Sequence, residues 1–96
     1  MYGTIAKLRV KPGMEGELER LSKQEQAEID GILFQYVYRM DADPQNLMLV
    51  VGFKDKDAYH KNAQSPEQHE RYLSMVGLLE GEPEWNDGEI VFSVTS

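Results

Sequence analysis

Asn62, His69 and Tyr72 follow one another at intervals of seven and three residues, in a chain that otherwise carries few groups able to do chemistry. An amide, an imidazole and a phenol can together hold a polar ligand group and pass a proton, and a lone imidazole titrates near neutrality. Tyr36, Tyr38, Phe53, Tyr59 and Trp85 add flat rings, several with polar tips. Such residues suit a pocket for a flat, partly polar molecule. They equally suit an ordinary core whose hydroxyls reach water, and His69 in the first turn of a helix equally suits plain exposure.

Other chemistries lack their residues. There is no Cys, so disulfides, thiolate metal sites and cysteine nucleophiles are excluded. No G-x-G-x-x-G, P-loop or G-x-S-x-G pattern occurs, which removes the usual nucleotide cradles and the serine-hydrolase elbow. Asp41-x-Asp43 begins like a calcium loop but lacks its central Gly, and Gly52 stands where the bidentate Glu belongs, so it reads as a hairpin turn. His60 and His69 are not joined by a carboxylate at metal-binding spacing, so no metal is expected.

The balance of 10 Lys plus Arg against 17 Asp plus Glu, a net charge of −7, offers no basic footprint for nucleic acid. No basic residue follows Arg71, while Glu80, Glu82, Glu84, Asp87 and Glu89 crowd one stretch. That stretch reads as a solvated loop, with a cationic partner as the other possibility. Leu47 to Val51, the longest apolar run, is too short to span a membrane. No cationic-then-apolar leader is visible, so a cytoplasmic protein is expected.

The elements that must position these residues follow from periodicity. Tyr2 to Val10 alternates at period two and stops at Pro12-Gly13: a strand. Met14, Leu18, Leu21 and Ile29 share a helical stripe that Gly31 ends. Ile32 to Met40 is a strand with Ile32, Phe34, Tyr36, Tyr38 and Met40 on one face. Asp41 to Asn46 turns the chain into Leu47 to Phe53, a strand apolar on both faces. Lys54 to Asn62 is a short helix. Ser65-Pro66-Glu67-Gln68 is a capping start for a second one carrying His69, Tyr72, Leu73, Val76 and Leu79. Gly81 to Gly88 reads as a loop and Glu89 to Thr95 as the last strand. The 96 residues make one domain of ferredoxin-like βαββαβ order: an α+β fold with a four-stranded antiparallel sheet and its helices on one face. A central third strand that is apolar on both sides leaves the other face uncovered, which predicts a homodimer through the helix-free face.

The whole chain resembles the antibiotic biosynthesis monooxygenase family of dimeric α+β barrels. The likeness rests on Ile5-Ala-Lys-Leu-Arg-Val-Lys-Pro-Gly13, on Tyr38-Arg-Met-Asp-Ala-Asp-Pro44, and on Leu49-Val-Val-Gly-Phe-Lys-Asp-Lys-Asp-Ala58 running into Ser65-Pro66. The resemblance implies paired sheets and a cavity in each protomer. It also implies oxidation of a phenol or quinol by molecular oxygen with neither metal nor organic cofactor. In that chemistry Asn62 would hold a substrate carbonyl, and His69 or Tyr72 would accept or relay the proton. Tyr36, Tyr38, Phe53, Tyr59 and Trp85 would shape the cavity. A non-catalytic, dimeric small-molecule binding module of the same fold is the alternative. Two departures stand out: Gly52-Phe53 replaces the family's frequent Glu-Trp, and Asn62 replaces a frequent His. Heme-degrading members carry Asn, Trp and His where this chain has Ala6, Asn62 and Tyr72, so heme breakdown is disfavoured.

Overall fold

The computed structural model describes residues 1–95, the side chains of Glu25 and Gln26 excepted. In chain order the elements are β1 (Tyr2–Arg9), α1 (Glu15–Glu28), β2 (Ile32–Arg39), β3 (Asn46–Phe53), α2 (Lys56–Ala63), α3 (Pro66–Val76) and β4 (Glu84–Glu89). The strands form one antiparallel sheet in the order β2-β3-β1-β4. This is the α+β, ferredoxin-like arrangement that the element order implies, with the first and third strands central.

Alternation along β1 and β3 builds the core. Ala6, Leu8 and Val10 point to the same side as Leu47, Leu49 and Phe53, and all six are buried. Leu18 of α1, Met75 of α3 and Leu79 close over them. Gly31, with φ of 81°, ends the turn after α1 in the left-handed region that favours glycine. Asp55 caps α2 by accepting from the Ala58 amide at 2.7 Å. Ser65 caps α3 by accepting from the Gln68 amide at 3.1 Å, with Pro66 at the first helical position, as the capping sequence predicts. Among the described residues no helix is long and apolar enough to cross a membrane.

Three expectations are corrected. The last strand is Glu84–Glu89, inside the segment expected to be a loop, and residues 90–95 lie outside the sheet. The cause is register: Lys7 pairs with Glu84 and Tyr2 with Glu89, so beyond Glu89 only Met1 remains, its carbonyl accepting from the Ile90 amide at 2.9 Å. Helix α3 stops at Val76, and Leu79 instead bridges to Val10 beside a Lys11-to-Leu78 backbone hydrogen bond of 2.9 Å. Finally, the pairing of β2 with β3 slips between Ile32 and Phe34. Ile32 therefore faces the helices, while Phe34, Tyr36 and Tyr38 turn to the opposite face.

The central strands approach closely where Gly3 lies opposite Gly52. A Cβ at Gly3 would meet the Val51 carbonyl, which is backbone and cannot move aside; at Gly52 it would meet the Phe34 ring, a side chain that can swing. Urea unfolding is therefore expected to show Gly3→Ala losing about 3 kcal/mol and Gly52→Ala nearer 1 kcal/mol, the two ends of the usual overpacking range. Equal losses would show that the two approaches are equally rigid.

Candidate functional site

The helix-bearing face of the sheet and the split helix α2–α3 enclose a cavity of about 430 Å³, within the range of roughly 300–1,000 Å³ common for small-molecule sites. Thr4, Leu49 and Val51 of the central strands form its floor, and Phe53 stands at the end of β3. Tyr59 and Asn62 come from α2, His69 and Tyr72 from α3, and Trp85 and Asp87 from β4. Six of the eight residues expected from the sequence thus surround one volume: Phe53, Tyr59, Asn62, His69, Tyr72 and Trp85. Tyr36 and Tyr38 do not. They are 56% and 57% exposed on the helix-free face, turned there by the slip at the start of β2.

Ser65 makes the convergence possible. It caps α3, and its hydroxyl also donates to the Asn62 carbonyl at 2.8 Å, holding the end of α2 against the start of α3. Asn62 Nδ2 donates to Gln68 Oε1 at 3.1 Å, which orients the amide and leaves its oxygen and second N–H for a ligand. His69 is exposed at the rim, and Tyr72 is half-buried against the core.

Thr4 and Asp87 have no counterpart in the sequence reading. Register explains both: Thr4 pairs with Val51 on one side and Asp87 on the other, so Asp87 comes to the cavity beside Thr4. The alternation of Trp85, Asp87 and Glu89 was the available signal, hidden by Gly, Pro and acidic neighbours that read as a loop. Tyr59 reaches across and donates to Asp87 Oδ1 at 2.7 Å. Its ring packs on Tyr2 and Phe53, with centroids 5.2 and 5.4 Å away. Burial first, then the hydrogen bond and the charge of Asp87, hold the Tyr59 phenol protonated well above the ordinary tyrosine range; the Thr4 hydroxyl acts in the opposite sense. Among the described residues, no three of His, Asp and Glu are grouped to hold a metal ion.

These features define a small α+β domain with a half-open, ring-lined cavity bearing amide, imidazole, phenol and carboxylate groups. The chain belongs to the antibiotic biosynthesis monooxygenase family, whose model matches residues 1–72, and membership supports a general monooxygenase-like role. Trp85 and Asp87 lie beyond the matched part. No curated protein matches the chain. Among solved structures it is similar to a conserved protein from Methanosarcina mazei Go1, at 24% identity over 91% of this chain and 89% of that one, with a TM-score of 0.76. A candidate antibiotic biosynthesis monooxygenase of Caulobacter crescentus CB15 gives 19% identity, coverage of 95% and 90%, and a TM-score of 0.78. One of Deinococcus radiodurans gives 16%, 100% and 98%, and 0.79. At such identities these structures speak for the fold.

The Tyr59–Asp87 pair has a pH signature. In the unfolded chain Tyr59 ionises near the ordinary value of about 10. In the folded chain it resists ionisation, so the stability it contributes is full below that pH and is lost as the pH rises above it. Thermal unfolding followed from pH 8 to 11 should show Tm falling less steeply above pH 10 in Tyr59→Phe than in the parent. Parallel curves would mean that Tyr59 titrates alike in both states.

Proposed function

We propose that the protein is a cofactor-independent oxygenase acting on a small aromatic substrate of the phenol or quinol type. The observation that supports this most is the composition of this cavity's wall. Flat apolar surfaces from Phe53, Tyr72 and Trp85 stand with the proton-handling groups His69 and Asp87 and the oriented amide of Asn62. A phenol held there surrenders its proton to a side chain, and the electron-rich ring then gives electrons to molecular oxygen, one oxygen atom entering the ring to give a quinone and the other leaving as water. Asn62 holds the substrate oxygen, His69 or Tyr72 accepts or relays the proton, and Phe53, Tyr59 and Trp85 shape the ring slot.

The test is anaerobic calorimetry with flat phenols and quinols, followed by oxygen uptake on those that bind. His69→Ala or Tyr72→Phe is expected to lower turnover by about 10²–10⁴, the range for a lost general acid or base, without changing the oligomeric state. Unchanged uptake in both variants overturns the catalytic assignment. Tight binding with no uptake identifies a binding module.

The working form is proposed to be a homodimer through the helix-free face. Across that face Tyr36, Val50 and Ile5 form one row and Tyr38, Met48 and Lys7 the next. Ile5 is 48% exposed beside the two exposed tyrosines, an apolar surface that monomers seldom keep in water. Val91, Phe92 and Val94, each more than 80% exposed, add further apolar area after β4. Val50→Asp should split the dimer, because it places an unpaired charge at the centre of the interface. Light scattering checks this, and a parent chain running as an 11.0 kDa monomer at micromolar concentration would refute the dimer itself.

A further inference from the structure

The edge strand β4 brings to the cavity a carboxylate with one oxygen to spare. Asp87 lines the cavity and is itself exposed, so a ligand can reach it. Its Oδ1 accepts the Tyr59 hydroxyl at 2.7 Å. Its Oδ2 accepts no hydrogen bond, and no Lys or Arg pairs with Asp87 among the described residues. An ionised carboxylate is acceptor-only, with about four lone-pair sites. The hydroxyls nearest to it are already engaged. Tyr59 gives its proton to Asp87, and the buried Thr4 hydroxyl is turned to the Tyr59 oxygen, lowering its ionisation as a donor does. Tyr59 thus fixes the carboxylate from one side and leaves the other for a donor from outside the protein. Trp85, two residues earlier on the same face of β4, adds a flat ring to the same wall.

We infer that Asp87 Oδ2 receives a hydroxyl group of the cavity's ligand, which makes Asp87 a specificity residue for hydroxyl-bearing rings. A hydroxyl donates to the carboxylate in a charge-assisted bond, the stronger kind. An ether or carbonyl oxygen has no proton to give, and its lone pairs would face those of the carboxylate. The site therefore prefers a phenol to its ether and a quinol to its quinone, so oxidation of the ligand removes the bond that held it. This rests on the aromatic-ligand reading above and adds to it which chemical group of the ligand lies against β4.

The test is anaerobic calorimetric titration of the full chain with 2-naphthol and with its methyl ether, 2-methoxynaphthalene. The parent is expected to bind the naphthol about ten- to a hundredfold more tightly, the worth of one hydrogen bond to a charged acceptor. Asp87→Asn keeps the shape and an oxygen for Tyr59 but puts N–H donors where the second oxygen stood; the preference should fall to within about twofold. Tyr59→Phe leaves the carboxylate in place, so a preference of about fivefold or more should remain. Equal binding of the two probes by the parent, or an unchanged preference in Asp87→Asn, overturns the inference and leaves the aromatic-pocket reading standing. Complete loss of the preference in Tyr59→Phe would put the ligand hydroxyl on the Tyr59 oxygen and also overturn it. Failure of the parent to bind either probe overturns both readings.

Discussion

β1 is hydrogen-bonded along both edges, to β3 from Tyr2 to Arg9 and to β4 from Tyr2 to Lys7, so Tyr2, Thr4 and Ala6 each acquire a neighbour on either side. Those rows are the floor of the molecule: Leu47 with Leu8, Leu49 with Ala6 and Trp85, Val51 with Thr4 and Asp87. Because the side-chain period is two, a one-residue slip on either edge would send Asp87 and Trp85, or Leu49 and Val51, to the wrong face. The end of the strand is pinned as well. Arg9 reaches Asp43 at 2.8 Å and Glu80 at 3.0 Å, while the Glu80 amide donates to the Arg9 carbonyl at 2.8 Å. The Arg9 contact and an amide from Gln45 hold the Asp43 carboxyl below its usual range. These pairs are exposed and contribute little energy; they set position.

The charge distribution bears on what the cavity can accept. Asp87 sits in its wall, and Glu84 and Glu89 lie on the same edge strand. With a net charge of −7 in addition, the surroundings favour a ligand that arrives neutral. A phenol meets that condition, whereas its phenolate or a carboxylate would approach against the field. The Tyr59–Asp87 bond keeps a proton at the cavity wall, and His69 stands at the rim.

Much of this was legible in residue pattern, and the failures have physical causes. The order βαββαβ, the central third strand and the Ser65 cap are each dictated locally, by period-two alternation or by capping chemistry, and the fold keeps them. Ile90, Phe92 and Val94 alternate better than Glu84 to Glu89 do, so residue pattern points past the strand that forms. Pairing to β1 outweighs propensity here, since an edge strand gains backbone hydrogen bonds whatever its side chains, and charge on an edge discourages further pairing. Tyr36 and Tyr38 belong to the ring set expected in the cavity, and alternation along β2 puts them on one face with Ile32. One extra residue near Leu33 reverses the parity, and nothing local announces it. Thr4 and Asp87 were invisible for a related reason: their meaning lies in a pairing between residues 83 positions apart.

The split in the second helical region decides whether the remaining site residues meet at all. In an unbroken helix, positions 62 and 69 would share a face but stand about 10.5 Å apart along the axis, too far to serve one small ligand. Pro66 forbids continuation: it has no amide to donate and pushes the residue before it into extended backbone, as the Ser65 angles of −75° and 146° show. The chain therefore stops and restarts within Gln64 and Ser65, and α3 sets out in a new direction. Ser65 then joins the two pieces, accepting from Gln68 while donating to the Asn62 carbonyl. Gln68, ordered by that cap, receives the Asn62 amide at 3.1 Å and an Arg71 guanidinium N–H at 3.2 Å. A break that lowers helix continuity thus orients Asn62 on one side and brings His69 and Tyr72 to the same cavity from the other.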